Sequence, residues 1–326
     1  MMRSVGHDSF GEPEDVLQQV EIDRPAPKAG EVLIKVIMAP IHNHDLWTIR
    51  GTYGTKPQLP ATAGSEAVGI IEEVGPEVDP ALKGRRVAAA GIPGAWAEYV
   101  IGRADAVIPV PDDMSDEAAA QLIAMPFSSI TLLEFLNVKP GDWVVQTAAN
   151  GAVGRIMDVL ARERGVKLLN LVRREAAVQE LTEAGMENVV STDDPDWIGK
   201  AKAILGEGGA RAAIDSVGGQ VAGDLVELLG HEGLLVTFGA MAEPTLPLSS
   251  GQLIFKHITV KGFWGAIVMR ETPAEDRQRM FGELIGLVLK GKLVLTSGGN
   301  FALENPREAA KASLTAGRNG KIMFKP

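Results

Sequence analysis

Cysteine is absent from the 326 residues, which excludes disulfide scaffolds, thiolate zinc sites, iron–sulfur clusters and a cysteine nucleophile together. Tyrosine is scarce: only Tyr53 and Tyr99 occur, and aromatic residues make up 5% of the chain. No apolar run approaches the roughly 18 residues of a membrane span. The opening stretch MMRSVGHDSFGEPEDV has no apolar core and no small-residue cleavage pattern, so no secretory signal is expected and the expected compartment is the cytoplasm. Positive charge is also in deficit, with 32 Lys and Arg against 42 Asp and Glu and a formal net charge of −10. No Lys/Arg run interrupts that balance, so neither nucleic acid nor an anionic membrane is an expected partner. An anionic small-molecule cofactor needs only a few cations and stays compatible.

What is present is apolar material for a large core, 45% of residues, with a mean hydropathy of +0.07. The length suggests two domains. In EVLIKVIMAP, Val32, Ile34, Val36 and Met38 alternate onto one face, and further short apolar stretches at 67–71, 86–90 and 96–101 predict a β-rich first domain. The pattern changes after Pro109-Val110-Pro111: Ser115 is a candidate N-cap followed by acidic Asp116 and Glu117, and Pro126 is expected to end or kink that helix. Strand candidates then begin near Trp143, Leu168, Val189, Ala212, Leu234 and Ile258. Most of the intervals carry helical patterns, which predicts a doubly wound parallel sheet. A helix is expected around 274–290, and the tail GKIMFKP is read as returning to the first domain.

The first strand of the alternating half runs into Ala149-x-Gly151-x-x-Gly154, a dinucleotide fingerprint with alanine for its first glycine. The second glycine lets backbone approach a pyrophosphate, which sits at the helix N-terminus; the third lets helix pack on strand. About 20 residues on, where an NAD site usually carries an acid, stand Arg173 and Arg174, suited to a 2′-phosphate. NADPH is therefore the expected cofactor, unless the pair merely opens a helix and pairs with Glu175.

The chain resembles the medium-chain dehydrogenase/reductase superfamily along nearly its whole length. Its local motifs are most similar to the zinc-independent 2-enoyl thioester reductases, with quinone oxidoreductases next. The stretches MAPIHNHDLWTIRGTYGTKPQLPATAGSEAVG, AANGAVG, DSVGG and LIFKHITVKGFW carry the resemblance. It implies a GroES-like domain over 1–117, a Rossmann domain over 118–264, and a return to the first domain over 265–326, with catalysis in a cleft between them. It also implies a homodimer paired along the sixth-strand edge, around Ile258–Phe263. The resemblance makes Tyr53, in a G-x-Y-G loop, and Trp264 the expected catalytic and substrate-contacting residues. The cofactor set it implies, together with the fingerprint, is His42, Ser128, Asn150, Gly151, Val153, Gly154, Arg173, Arg174, Gly239, Met241, Phe263 and Lys321.

Zinc ligands are not expected. His42 stands where zinc-dependent members of the superfamily carry a Cys, and Gly64-Ser65-Glu66 replaces their Gly-His-Glu. The thioester reductases usually read Asn-Pro-Ser-Asp where this chain has His42-Asn43-His44-Asp45; His42 and His44 are read as ordinary loop histidines, with proton transfer as the other possibility. The expected activity is NADPH-dependent reduction of an activated C=C bond in an enoyl thioester. A quinone oxidoreductase and a non-catalytic NADPH-binding regulator are the alternatives.

Overall fold

The alternating segment becomes the strand Glu31–Pro40, which pairs antiparallel with Glu66–Val74 and with Tyr99–Arg103. Alternation predicts one buried face, yet Leu33 and Ala39 are as buried as Val32 and Ile34, because the second face is covered near both ends of the strand, while Lys35 between them stays exposed. The computed structural model describes residues 1–315, 317–318 and 320–326. It divides into two units, Met1–Ala124 with Gly282–Pro326, and Met125–Phe281.

In the first unit the C-terminal strands Ser297–Phe301 and Lys321–Phe324 join the same sheet, with Phe324 opposite Ala39 and Met323 opposite Pro40. Its core gathers Val32, Ile34, Ile71, Trp96 and Phe324, and the last two rings lie 5.0 Å apart. Both unit boundaries fall later than 117 and 264. Phe281 stacks on Phe127 at 4.8 Å and Arg279 binds Glu134 at 2.8 Å. These contacts keep the helix Gly265–Glu271 and the start of Ala274–Leu289 with the second unit.

The second unit holds a six-stranded sheet of Trp143–Gln146, Lys167–Val172, Val189–Ser191, Ala210–Asp215, Leu229–Thr237 and Thr259–Gly262. All its pairings are parallel. Numbered in chain order, the strands lie 3-2-1-4-5-6, the dinucleotide-binding arrangement, with its switch point beside the first strand. Pro126 neither ends nor kinks a helix. It is the third residue of Ala124–Phe135, inside the first turn, where a missing N–H forfeits no intrahelical bond. The preceding helix Asp116–Ala120 starts as expected, with Ser115 accepting from Ala118 N. The Pro-rich stretch after residue 240 contains the short helix Ser250–Lys256, capped by Ser249. Among the described residues no helix is long and apolar enough to cross a membrane.

Candidate functional site

The second unit presents the fingerprint turn at the end of its first strand. Ala148 adopts a left-handed φ of 51°, and Gly151 is the N-cap of Ala152–Glu163 without a side-chain cap. The first helical N–H groups therefore lack a side-chain acceptor, the condition in which a helix N-terminus receives an anion. A Cβ on Gly154 would lie 2.6 Å from Ala149 Cα and O, so helix and strand pack as closely as only glycine allows. Buried Gln146 locks this turn by donating to Gly154 O at 3.0 Å and to Asn170 Oδ1 at 2.6 Å.

Arg173 and Arg174 follow the second strand and are exposed. Among the described residues neither guanidinium is engaged by a carboxylate, so the expected competition from Glu175 is not formed. Asn150 and Gly151 are exposed, Val153 is half-buried and Gly154 is buried. These residues fit a phosphorylated dinucleotide: an uncapped helix start, a close backbone approach and two unpaired cations.

At the far edge of the same sheet, Gly239, Phe263 and Trp264 line a cavity of about 470 Å³ with Phe135, Phe238, Ile267 and Val268. Sequence reasoning missed Phe135 and Phe238; an aromatic within an apolar helix or strand carries no mark of lining a pocket. Ser128 lies by this region, its Oγ only 2.6 Å from where a Cβ on Gly265 would stand. Met241 is 52% exposed, and its N–H donates to Ser216 O at 3.3 Å.

Tyr53, His42 and Lys321 belong to the first unit, around a polar cluster that sequence reasoning did not assemble. His42 and His44 are not loop histidines: His42 caps the helix Asn43–Arg50 and His44 sits in its first turn. Asp45 Oδ2 accepts from His42 N at 2.9 Å, which closes the cap. His42 has no exposed surface and offers nothing to a cofactor directly. Its Nε2 stands 2.6 Å from Glu66 Oε2, and Glu66 Oε1 accepts from Ile123 N at 2.7 Å and Ala124 N at 3.0 Å.

Burial pushes the Glu66 carboxyl up to about 8 against the opposing pull of those two N–H groups. Burial, then Lys321, pulls His42 well below the usual imidazole range. Both directions favour a neutral pair, in which the Glu66 acid donates to His42 Nε2; the other nitrogen, Nδ1, is buried without a hydrogen-bond partner. Lys321 is 7% exposed and burial draws it down to about 8, with Asp45 and Glu66 acting the other way. His44 stacks on His42 at 5.0 Å and 17°, and Tyr53 lies 5.9 Å beyond it at 33°. Among the described residues no three ligand-type side chains are grouped to hold a metal ion. The replacement of Gly-His-Glu by Gly64-Ser65-Glu66 was the available signal for this cluster.

A GroES-like sheet unit and a Rossmann unit with a dinucleotide turn define the class of the medium-chain dehydrogenases and reductases. The alcohol dehydrogenase GroES-like domain family matches residues 28–112, and the zinc-binding dehydrogenase family matches residues 152–279. The chain is 30% identical to the mitochondrial enoyl-[acyl-carrier-protein] reductase of Xenopus tropicalis, over 96% of this chain and 92% of that one. Among solved structures it is similar to a proposed NADPH:quinone reductase from Bacillus thuringiensis, at 28% identity and a TM-score of 0.93, covering 100% and 99% of the two chains. It is also similar to Escherichia coli quinone oxidoreductase complexed with NADPH, at 26% identity and a TM-score of 0.90, covering 99% and 100%. The chain belongs to the medium-chain dehydrogenase/reductase superfamily, as an oxidoreductase of its enoyl reductase and quinone reductase type.

The buried acid makes a stability prediction. Glu66 keeps its proton in the fold and releases it in the unfolded chain between the ordinary 4.5 and about 8. Unfolding then releases a proton, so this group's contribution to stability falls as pH rises through that window, by up to about 1.4 kcal/mol per pH unit. Glu66→Gln, which imitates the protonated acid, removes that slope. Urea unfolding should show the variant gaining on the wild type from about pH 5 to about pH 8, then levelling. A constant difference across the range would mean an ionised Glu66.

Proposed function

We propose that the protein is an NADPH-dependent reductase of the activated C=C bond in an enoyl thioester. The observation that carries this reading is Tyr53, whose ring stands against His44 at the edge of the buried acid–base cluster. A phenol held there is a hydrogen-bond donor with a proton source behind it, which enolate chemistry requires and plain loop lining does not.

The dinucleotide's diphosphate would be received by the N-terminus of Ala152–Glu163, and its 2′-phosphate by Arg173 and Arg174. When bound, it supplies a hydride for the β-carbon of the unsaturated thioester. Negative charge then grows on the thioester oxygen, and a donor aimed at that oxygen stabilises the transition state more than the ground state. Tyr53 would serve as that donor and deliver a proton to the α-carbon, directly or through water. The cavity walled by Phe238, Phe263 and Trp264 would take the apolar acyl part. That aromatic wall equally suits a flat ring and favours quinone reduction as a second reading, one that needs no obligatory proton donor. A regulator that binds NADPH without turnover is the third.

Dimerisation is proposed along Thr259–Gly262, the edge strand of the parallel sheet. Val260 is 37% exposed there and neighbouring Phe255 83%, an apolar edge that a second copy would cover.

NADPH oxidation with crotonyl-CoA and with a small quinone separates the readings. Tyr53→Phe should lower kcat on the thioester by about 10²-fold or more. Quinone turnover indifferent to that change, with no thioester activity, reverses the ranking; tight NADPH binding with neither activity supports the regulator. Replacing Arg173 and Arg174 by Ala should raise the KM for NADPH about tenfold or more and leave that for NADH nearly unchanged; equal effects would remove the 2′-phosphate assignment. Sedimentation should give twice 34.6 kDa, and Val260→Lys should return the monomer; a wild-type monomer rules the dimer out.

A further inference from the structure

We propose that His44 supplies the proton that Tyr53 delivers, through a fixed chain from Asp45 to Ser65 to His44; this rests on the thioester reading above. Ser65 Oγ donates to Asp45 Oδ1 at 2.6 Å. Its one hydrogen is thereby committed, so the 2.7 Å contact between Ser65 Oγ and His44 Nε2 must have the imidazole as donor. His44 thus keeps a proton on Nε2. His42, accepting from Glu66 at its own Nε2, keeps one on Nδ1. Two stacked imidazoles are held in opposite tautomers by different acids.

The pair divides the work. His42 is sealed, while His44 is 25% exposed, so water reaches it, and Asp45 Oδ1 lies 3.5 Å from its Nε2. The titratable groups around it are His42, Asp45 and Tyr53, with Glu66 in electrostatic reach; Lys321 faces His42, Asp45 and Glu66.

The step balances simply. The Tyr53 O–H bond breaks as the α-carbon gains its proton, leaving a phenolate. The Nδ1–H bond of the His44 imidazolium then breaks to restore the phenol, leaving neutral imidazole whose Nε2–H still donates to Ser65 Oγ. Water re-protonates the exposed ring before the next turnover. His44 is a positioning and proton-supplying residue that acts through Tyr53.

The test compares wild type, Tyr53→Phe, His44→Gln and His44→Ala on crotonyl-CoA. Gln keeps a donor to Ser65 and cannot carry a proton. In His44→Gln kcat should drop at least about tenfold, with KM little changed. His44→Ala opens a ring-sized gap between His42 and Tyr53, and added imidazole should restore activity severalfold. A His44→Gln enzyme with wild-type kcat, or a His44→Ala enzyme that imidazole does not rescue, overturns the inference even if Tyr53→Phe is crippled. Absence of thioester turnover in the wild type overturns both this and the reading beneath it.

Discussion

A protonated carboxyl with no access to water is the interaction on which the first unit's polar interior depends. Burying an acid side chain without partners costs several kcal/mol, and Glu66 meets that cost with three hydrogen bonds. Two of them, from backbone N–H groups, favour the anion; burial favours the acid and prevails. Because the acid keeps its hydrogen, His42 must accept at Nε2. That choice fixes the tautomer and plane of His42, and through the stack the plane of His44. Removing the proton from Glu66 would make His42 the donor at Nε2 instead and move its other nitrogen to the acceptor form.

The second unit depends on a different constraint, the closeness of helix to strand at Gly154. Any side chain there would meet the backbone of Ala149, so the helix start can stand directly after the strand only with glycine at that place. Gln146 and Asn170 add a buried amide bridge behind the turn, joining the first and second strands just below the site where the two arginines emerge. The turn end of this unit is thus braced from behind and polar in front, as a site for a flexible dinucleotide would require.

These two constraints were not equally legible in the sequence. The parallel strands announced themselves because a strand buried on both faces is a short apolar run between turn residues, and its helices repeat at 3.6. The arginines stood out because their spacing from Gly154 has a chemical meaning, and the structure leaves both exposed after the second strand. Pro126 was misread because its effect depends on its position within a helix whose start has no strong cap. The strand before Thr237 begins at Leu229, ahead of its expected start at Leu234, since Gly230, His231 and Glu232 interrupt the apolar run. Glu66 was hidden for a deeper reason: glutamate is ordinarily exposed, and only the three-dimensional arrangement shows its carboxyl facing His42 and two helix-start N–H groups.

The same corner explains why the chain departs from both patterns it resembles. Where zinc-dependent members of the superfamily carry ligands, this chain has His42 and Glu66, locked to each other and each made neutral by burial. A dication needs the opposite: a deprotonated acid, a free imidazole nitrogen and a third donor. Here the acid is held toward its protonated form by burial, Nε2 is taken by Glu66, and the cation Lys321 stands close enough to act on both residues. A neutral acid–imidazole pair asks for no counter-ion and so can be sealed completely. Asp45 meanwhile divides its two oxygens, Oδ2 closing the cap at His42 N and Oδ1 accepting from Ser65 beside His44, so its carboxylate is spent on positioning the helix start and the second imidazole.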